Sequence, residues 1–307
     1  MTVPAVTPDI PSRRWRAILA VLRRLPKAGL SRSLGVLADV PLPRRLRRTV
    51  LGTFVSAVGI DMEEAELPLE SYESLNQLFV RRLKPGARGW PGDPDLVTSP
   101  VDGIVGQMGR IDGGRIIQAK GRGYAARDLL DDRLEAKELE GGLFLTLYLA
   151  PRHYHRVHAP VGGVIPRARH VSGALFPVNE PSINHIEDLF ARNERLLCHI
   201  HGTLGRTTVV AVGAYNVGRI SATFDHEWGG QHRWITNRGD ELPAERRYSP
   251  SIEVERGQEL MVFHLGSTVI LLFQPGQIRF DPSLHLGQEV QVGDVLAHPL
   301  LPEEDLS

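Results

Sequence analysis

Three histidines, His153, His155 and His158, lie within "APRHYHRVHAPVGG", the densest polar run of the chain. Imidazoles at this spacing suit a zinc or iron site. They equally suit acid–base work near neutral pH, or a hydrogen-bonded turn. No further cluster of Cys, Asp and His supplies an evident remaining metal shell. A second candidate is Asp102 in "TSPVDGIVG". Asp-Gly is ordinary turn chemistry, but a buried carboxylate within hydrogen-bond reach of a histidine would orient and charge it. The third is Ser267 in "VFHLGSTVILLF", where Gly266-Ser267-Thr268 interrupts an apolar run that reads as a buried strand.

Serine with histidine and aspartate first suggests a hydrolase, but the Gly-x-Ser-x-Gly elbow is missing. A different use of the same groups fits the string better. A histidine removes the Ser267 hydroxyl proton, and the oxygen attacks the carbonyl of Gly266. Glycine suits that position because it tolerates unusual backbone angles and leaves its carbonyl approachable.

The elements that must position these groups are legible in outline. Apolar Trp15, Ile18, Leu19, Leu22 and Leu25 follow helical spacing after a proline-rich arm over residues 1–12. A second helix is expected after Pro43, with Leu46, Val50, Phe54 and Val58 on one stripe and Arg44, Arg45, Arg47 and Arg48 at its start. A short helix is expected over "ESLNQLFVRRL", Glu73 to Leu83. From Val97 onward, β-prone runs such as "GGLFLTLYLA", "TTVVAVGAYNVGRISATF" and "STVILLF" alternate with turn residues. The tail "GQEVQVGDVLAHPL" reads as two short strands joined at Val292-Gly293-Asp294. The expectation is an α+β protein: a mostly β sandwich or barrel body over residues 61–307, behind N-terminal amphipathic helices in residues 1–60.

The zero formal net charge hides an asymmetry. Residues 1–50 carry eleven Arg or Lys against Asp9 and Asp39, so the rest of the chain is acidic. A basic amphipathic head suits an anionic lipid surface, with arginines on phosphates and apolar side chains at the acyl boundary. The bland alternative is helices that pack on the body and show a solvated arginine face. Nucleic acid fits less well, since aromatic content is 6% and no recognition motif accompanies the charge. No apolar stretch near the start approaches the ~20 residues needed to span a bilayer. The lone Cys198 excludes an intrachain disulfide and fits a reducing compartment.

"LGST" at Leu265–Thr268, "SPVDG" at Ser99–Gly103 and "YHRVHAP" at Tyr154–Pro160 together resemble the bacterial type of phosphatidylserine decarboxylase. "LKPGAR" at Leu83–Arg88, "KGRGY" at Lys120–Tyr124 and "LFPVNE" at Leu175–Glu180 support the likeness, in one consistent order from about Ser71 to Pro299. Val101 stands where alanine is frequent in that family, and Ala159 where a larger residue often occurs.

The resemblance implies a proenzyme that cuts itself between Gly266 and Ser267, giving a β chain of residues 1–266 and an α chain of residues 267–307 that stay together as a heterodimer. It implies His158 as base for Ser267, with Asp102 orienting His158 and stabilising its charged form. It implies a pyruvoyl group made from Ser267 as covalent cofactor, no metal, and His155 assisting decarboxylation or protonation. The substrate would be phosphatidylserine in the membrane and the product phosphatidylethanolamine. The enzyme would sit peripherally on the cytoplasmic side of the cell membrane, with room for a homodimer. The Asn179 loop and the run around Asn193 and Arg195 are candidates for the lipid phosphate.

Overall fold

This computed structural model describes residues 38–214, 220–229, 245–264 and 267–300; of Ser267 it describes the backbone alone. The strands in chain order are β1 (Val97–Thr98), β2 (Gly103–Arg110), β3 (Arg115–Ala119), β4 (Arg122–Ala125), β5 (Leu143–Leu149), β6 (Arg156–His158), β7 (Gly163–Val171) and β8 (Arg195–Gly202). They continue with β9 (Gly205–Val212), β10 (Ile220–Ala222), β11 (Glu245–Val254), β12 (Glu259–Phe263), β13 (Ser267–Phe273), β14 (Ile278–Phe280), β15 (Glu289–Val290) and β16 (Val295–Pro299). The longest described helix is α1 (Arg44–Val58), and a short α2 (Leu75–Phe79) follows it.

The run after Ser267 is apolar without alternation because it is covered on both sides. β13 lies inside an eight-stranded antiparallel sheet of order β11-β7-β8-β9-β13-β5-β2-β15. Its side chains alternate between two cores, as a period of two requires. Val269, Leu271 and Phe273 pack with Leu145, Leu147, Val209 and Ala211 on one face. Ile270 and Leu272 pack with Phe144, Leu197, Val210 and Val212 on the other. A strand buried on both faces loses the polar-out half of its pattern.

The α+β expectation matches this architecture. The sheets, however, do not close into a barrel: the large sheet stays open, with β11 and β15 as its ends. Smaller antiparallel sheets, β10-β12-β6 and β1-β16-β14, and the β3-β4 hairpin complete the set. The two tail strands do not pair with each other. β15 joins β2, whereas β16 inserts between β1 and β14. The turn between them needs glycine, since Gly293 has φ 95° and an added Cβ would lie 2.0 Å from the Gly89 carbonyl oxygen.

The helix after Pro43 forms as expected and ends at Gly59, whose φ of 76° makes the left-handed cap. Its packing face is narrower than the expected stripe. Leu51 is buried against Tyr72 and Leu78, with Phe54 and Val55 half-buried beside it. Leu46 and Val50 stay outside, 50% and 37% exposed. The expected helix over Glu73–Leu83 is cut to five residues, Leu75–Phe79, capped by Ser74, whose Oγ accepts from the Gln77 amide. Beyond it the chain pairs instead with residues 64–66, through Glu66 N to Arg82 O and Lys84 N to Glu64 O. The arm and the helix expected around Trp15–Leu25 lie outside the described residues.

Leu271 is fully buried in the middle of β13. Replacing it with alanine is expected to destabilise the fold by about 2–5 kcal/mol, read as a lowered urea midpoint at unchanged m-value.

Candidate active site

Segments far apart in sequence meet at one end of the large sheet. β5 finishes at Leu149 directly opposite Ser267, which opens β13. β2 begins at Gly103, beside the β5 residue Tyr148. Asp102-Gly103 is therefore not a turn, and glycine is required there because an added Cβ would lie 2.9 Å from the Tyr148 carbonyl oxygen. β6 is tied to the same corner, since His158 N donates to Pro100 O at 2.8 Å. It pairs with β12, and Phe263 N donates to His155 O at 3.0 Å. The chain leaves β12 at Phe263 and enters β13 at Ser267, so the Gly266–Ser267 bond joins two strands held at this corner. Gly266 itself lies outside the described residues.

The hydrogen bonds assign each ring a protonation pattern. A backbone carbonyl only accepts, so His158 Nδ1 carries the proton that it donates to Gly257 O at 2.7 Å. Its Nε2 is left with a lone pair, 3.4 Å from the Tyr154 hydroxyl. Tyr154 stacks on the ring and Trp90 tilts against it. Burial lowers the His158 pKa, against the opposing effects of the Gly257 contact and the charge of Glu259. His155 is fully buried, donates from Nδ1 to His153 O at 2.8 Å and rests against Phe79. Its Nε2 has no partner among the described residues. Burial pushes its pKa down to about 3. Both rings are thus neutral bases at physiological pH whose Nε2 carries the lone pair, that of His158 in a long contact with the Tyr154 hydroxyl. His153 differs: Nδ1 accepts from the Ala150 amide at 3.0 Å, and Nε2 faces Glu289 at 3.0 Å.

The three imidazoles do not assemble as one ligand set. Among the described residues no group of three or more His, Cys, Asp or Glu side chains comes together as a metal cage.

Asp102 is buried, but its partner is not histidine. Arg88 grips it with two bonds, Nε to Oδ1 at 3.0 Å and Nη2 to Oδ2 at 2.5 Å, and the Val292 amide donates to Oδ1 at 2.9 Å. Arg88 also reaches Glu64 at 2.8 Å. Burial works against the Arg88 charge, yet these bonds overcome it and raise its pKa. The expected contact from Asp102 that orients His158 is replaced by the Gly257 carbonyl, and Asp102 acts on His158 through its field. Local sequence could not reveal this, since Arg88 appears only as the end of "LKPGAR" and Gly257 as a turn residue.

The phosphate candidates are committed elsewhere. Arg195 is buried and donates to four backbone carbonyls, those of Leu129, Ala191, Asn193 and Asp128. Asn193 ties Phe176 to Gly213 through backbone bonds. Asn179 caps the helix Glu180–His185 by accepting from Ser182 N.

Residues missed in the sequence surround the corner. α2 contributes Phe79 to His155 and Asn76 to His264, whose rings meet at 4.0 Å in the first case and whose Nδ2–Nδ1 distance is 3.3 Å in the second. His264 Nε2 lies 3.1 Å from Ser221 Oγ, so the residue leading toward the Gly266–Ser267 bond is tethered on two sides. A cavity of about 440 Å³ opens beside Thr268, lined in part by Ile104, Gln107, Lys120, Tyr148 and Glu180. The hydroxyls of Thr146 and Thr268 at its wall are buried without partners. A larger cleft of about 670 Å³ between Arg115, Arg127, Arg133 and Lys137 contains none of the candidate residues.

Neutral, buried imidazoles near the head of a doubly covered strand suit acid–base chemistry in an α+β protein. The chain belongs to the phosphatidylserine decarboxylase family, whose profile matches residues 75–298. The phosphatidylserine decarboxylase proenzyme of Anaeromyxobacter sp. (strain K) is 43% identical over 281 residues, covering 92% of this chain and 98% of that protein. The proenzyme of Myxococcus xanthus (strain DK1622) is 39% identical over 278 residues, 91% of this chain and 96% of the relative. That of Bordetella avium (strain 197N) is 41% identical over 293 residues, 94% and 96% of the two chains.

The folded pKa of His155, about 3, lies below the ordinary value of 6.5. Between those pH values the unfolded chain takes up a proton that the folded chain refuses, so stability falls as pH falls through that window. His155→Phe removes this dependence. Urea unfolding at neutral pH and at about pH 4 should show the variant losing less stability on acidification than the parent, by up to about 1.4 kcal/mol per pH unit.

Proposed function

We propose that this chain converts phosphatidylserine to phosphatidylethanolamine after cutting itself between Gly266 and Ser267, with Ser267 the source of a pyruvoyl group. The observation that carries this reading is the place of Ser267, at the head of β13 opposite Leu149, in the same corner as two neutral histidines. His158 would take the Ser267 hydroxyl proton at its Nε2, in place of the long Tyr154 contact, so that the oxygen attacks the Gly266 carbonyl. The field of Asp102 favours the imidazolium that results. Elimination and hydrolysis then leave residues 1–266 and 267–307 as two chains of one heterodimer.

The residues present fit a group at position 267: His155, whose Nε2 has no partner among the described residues, accepts at its carbonyl from Phe263 N, where β12 ends just before that position. When formed, a pyruvoyl group supplies the carbonyl electrophile that no ordinary side chain offers. His155 would accept and return a proton at Nε2, and its apolar neighbour Phe79 keeps water from that nitrogen.

Residues 1–60 would hold the enzyme at the cytoplasmic face of the cell membrane as a peripheral protein, with residues 61–307 as the catalytic body. No described helix is long and apolar enough to cross a membrane. α1 supports docking by its charge placement. Its first turns carry Arg44, Arg45, Arg47 and Arg48 with no acidic residue, although the N-terminal end of a helix disfavours cations. Arg47 pairs with Glu73, but Arg44 and Arg45 stand exposed beside Leu46 and Val50. Lipid phosphates would compensate both the side chains and the helix end.

Intact-mass measurement under denaturing conditions should show two fragments divided at Gly266/Ser267, the smaller one lighter than a free serine terminus by one ammonia. Ser267→Ala should give one full-length mass and no decarboxylation, and cleaved, active Ser267→Ala protein would refute the reading. His155→Ala should still cleave but lose about 10²-fold or more in kcat. Replacing Leu46 and Val50 together by aspartate should weaken sedimentation with phosphatidylglycerol vesicles while leaving cleavage complete.

A further inference from the structure

The segment after α2 carries a charge that no described residue neutralises directly. Arg81 is 4% exposed, and its Nη2 is satisfied by the Arg152 carbonyl at 3.0 Å. Its Nε and Nη1 are buried with no acceptor among the described residues. The acids within its electrostatic reach are Asp102 and Glu64, and both are already held by Arg88, itself a competing cation. A buried guanidinium without a counter-ion is costly, and desolvation accordingly lowers its pKa. Beside it the Tyr72 hydroxyl is buried too. The Leu67 backbone approaches that hydroxyl without completing a hydrogen bond.

The place of this charge gives it a meaning. Arg152, which Arg81 holds, follows the end of β5, where Leu149 faces Ser267. His155 is within the field of Arg81 and has its own orphaned Nε2. Asn76, on α2, tethers His264. Arg81 is therefore tied to the segments that meet at the head of β13, through Arg152 and the field it exerts on His155.

We propose that Arg81, with Tyr72 beside it, is a receptor for a single oxyanion that is present only after cleavage or only with substrate bound. The inference rests on the functional reading above. The shared chemistry is a carboxylate-like anion accepting charge-assisted N–H bonds. It has two sources: the carboxylate that cleavage leaves on Gly266, or an oxyanion of the phosphoserine headgroup. In either case the anion would supply the acceptor that Arg81 Nε and Nη1 lack among the described residues, and its binding favours the cleaved or liganded state.

The test compares Arg81→Met, Arg81→Lys and Tyr72→Phe, each alone and combined with Ser267→Ala. Masses report cleavage, thermal unfolding reports stability, and kcat and KM are measured on phosphatidylserine in detergent micelles. If the anion is the Gly266 carboxylate, Arg81→Met lowers the midpoint of cleaved protein by several degrees more than that of the uncleaved Ser267→Ala form. If it belongs to the headgroup, the two forms shift alike while KM rises about tenfold or more at nearly constant kcat. In both cases Arg81→Lys keeps part of the effect. Equal shifts with unchanged KM mean that the arginine is structural, and overturn the proposal. Should Arg81→Met not fold, Arg81→Lys and Tyr72→Phe are read by the same criteria. A wild-type chain that is never cleaved and releases no carbon dioxide sinks the functional reading instead. The receptor then stands or falls on whether acetate or inorganic phosphate raises the midpoint of the wild-type chain but not that of Arg81→Met.

Discussion

The hydrogen-bond ladder on both sides of β13 is the constraint from which the rest follows. Residues Thr268–Phe273 pair with β5 on one side and β9 on the other, and their side chains are divided between two cores. A strand so held cannot leave the sheet when the chain is interrupted at its head. The ladder and the burial of Val269 to Phe273 would hold residues 267–300 in place without the covalent link, since β15 also pairs with β2 and β16 with β1. On the proposed reading, the backbone would be cut at the start of such a strand without disassembling the fold, and the new terminus would face the end of β5.

Around that strand, burial rather than charge sets the chemistry. His155 and His158 are kept neutral by desolvation, and carbonyls of His153 and Gly257 choose the tautomer in which Nε2 carries the lone pair. The strong ion pair of the site, Arg88 with Asp102, stands one layer back from the histidines. A direct carboxylate–imidazole bond would favour the charged ring before any proton needs to be taken. A field acting from behind Arg88 leaves the base neutral and still favours the imidazolium once it forms.

The same economy of position marks α2. Five helical residues and the two that follow supply Asn76 to His264, Phe79 to His155 and Arg81 to the Arg152 carbonyl. α1 packs on this segment through Leu51, Tyr72 and Leu78, forming a small cluster apart from the two sheet cores. The element with the exposed arginines is therefore in direct contact with the element that lines the reactive corner. A membrane bound by α1 would sit close to the site where a headgroup must arrive.

Much of this was legible in the sequence wherever the signal was local. The unbroken apolar run Val269–Phe273 already specified a strand buried on both faces, and the four-residue spacing after Pro43 specified α1. The ordered motifs placed Asp102, His155, His158 and Ser267 on one list. Sequence could not say which atoms those residues would meet, because partners come from segments far along the chain. Asp102 finds Arg88 and Val292, His158 finds Gly257, and Arg195, a candidate for phosphate, spends its donors on carbonyls. Nor could it show that the tail strands part to different sheets, or that Arg81 is buried without a counter-ion. Periodicity encodes which faces of an element are buried, and the chain determines that by itself. Hydrogen-bond partners, tautomers and unpaired charge depend on distances between elements, which only the packed tertiary structure decides.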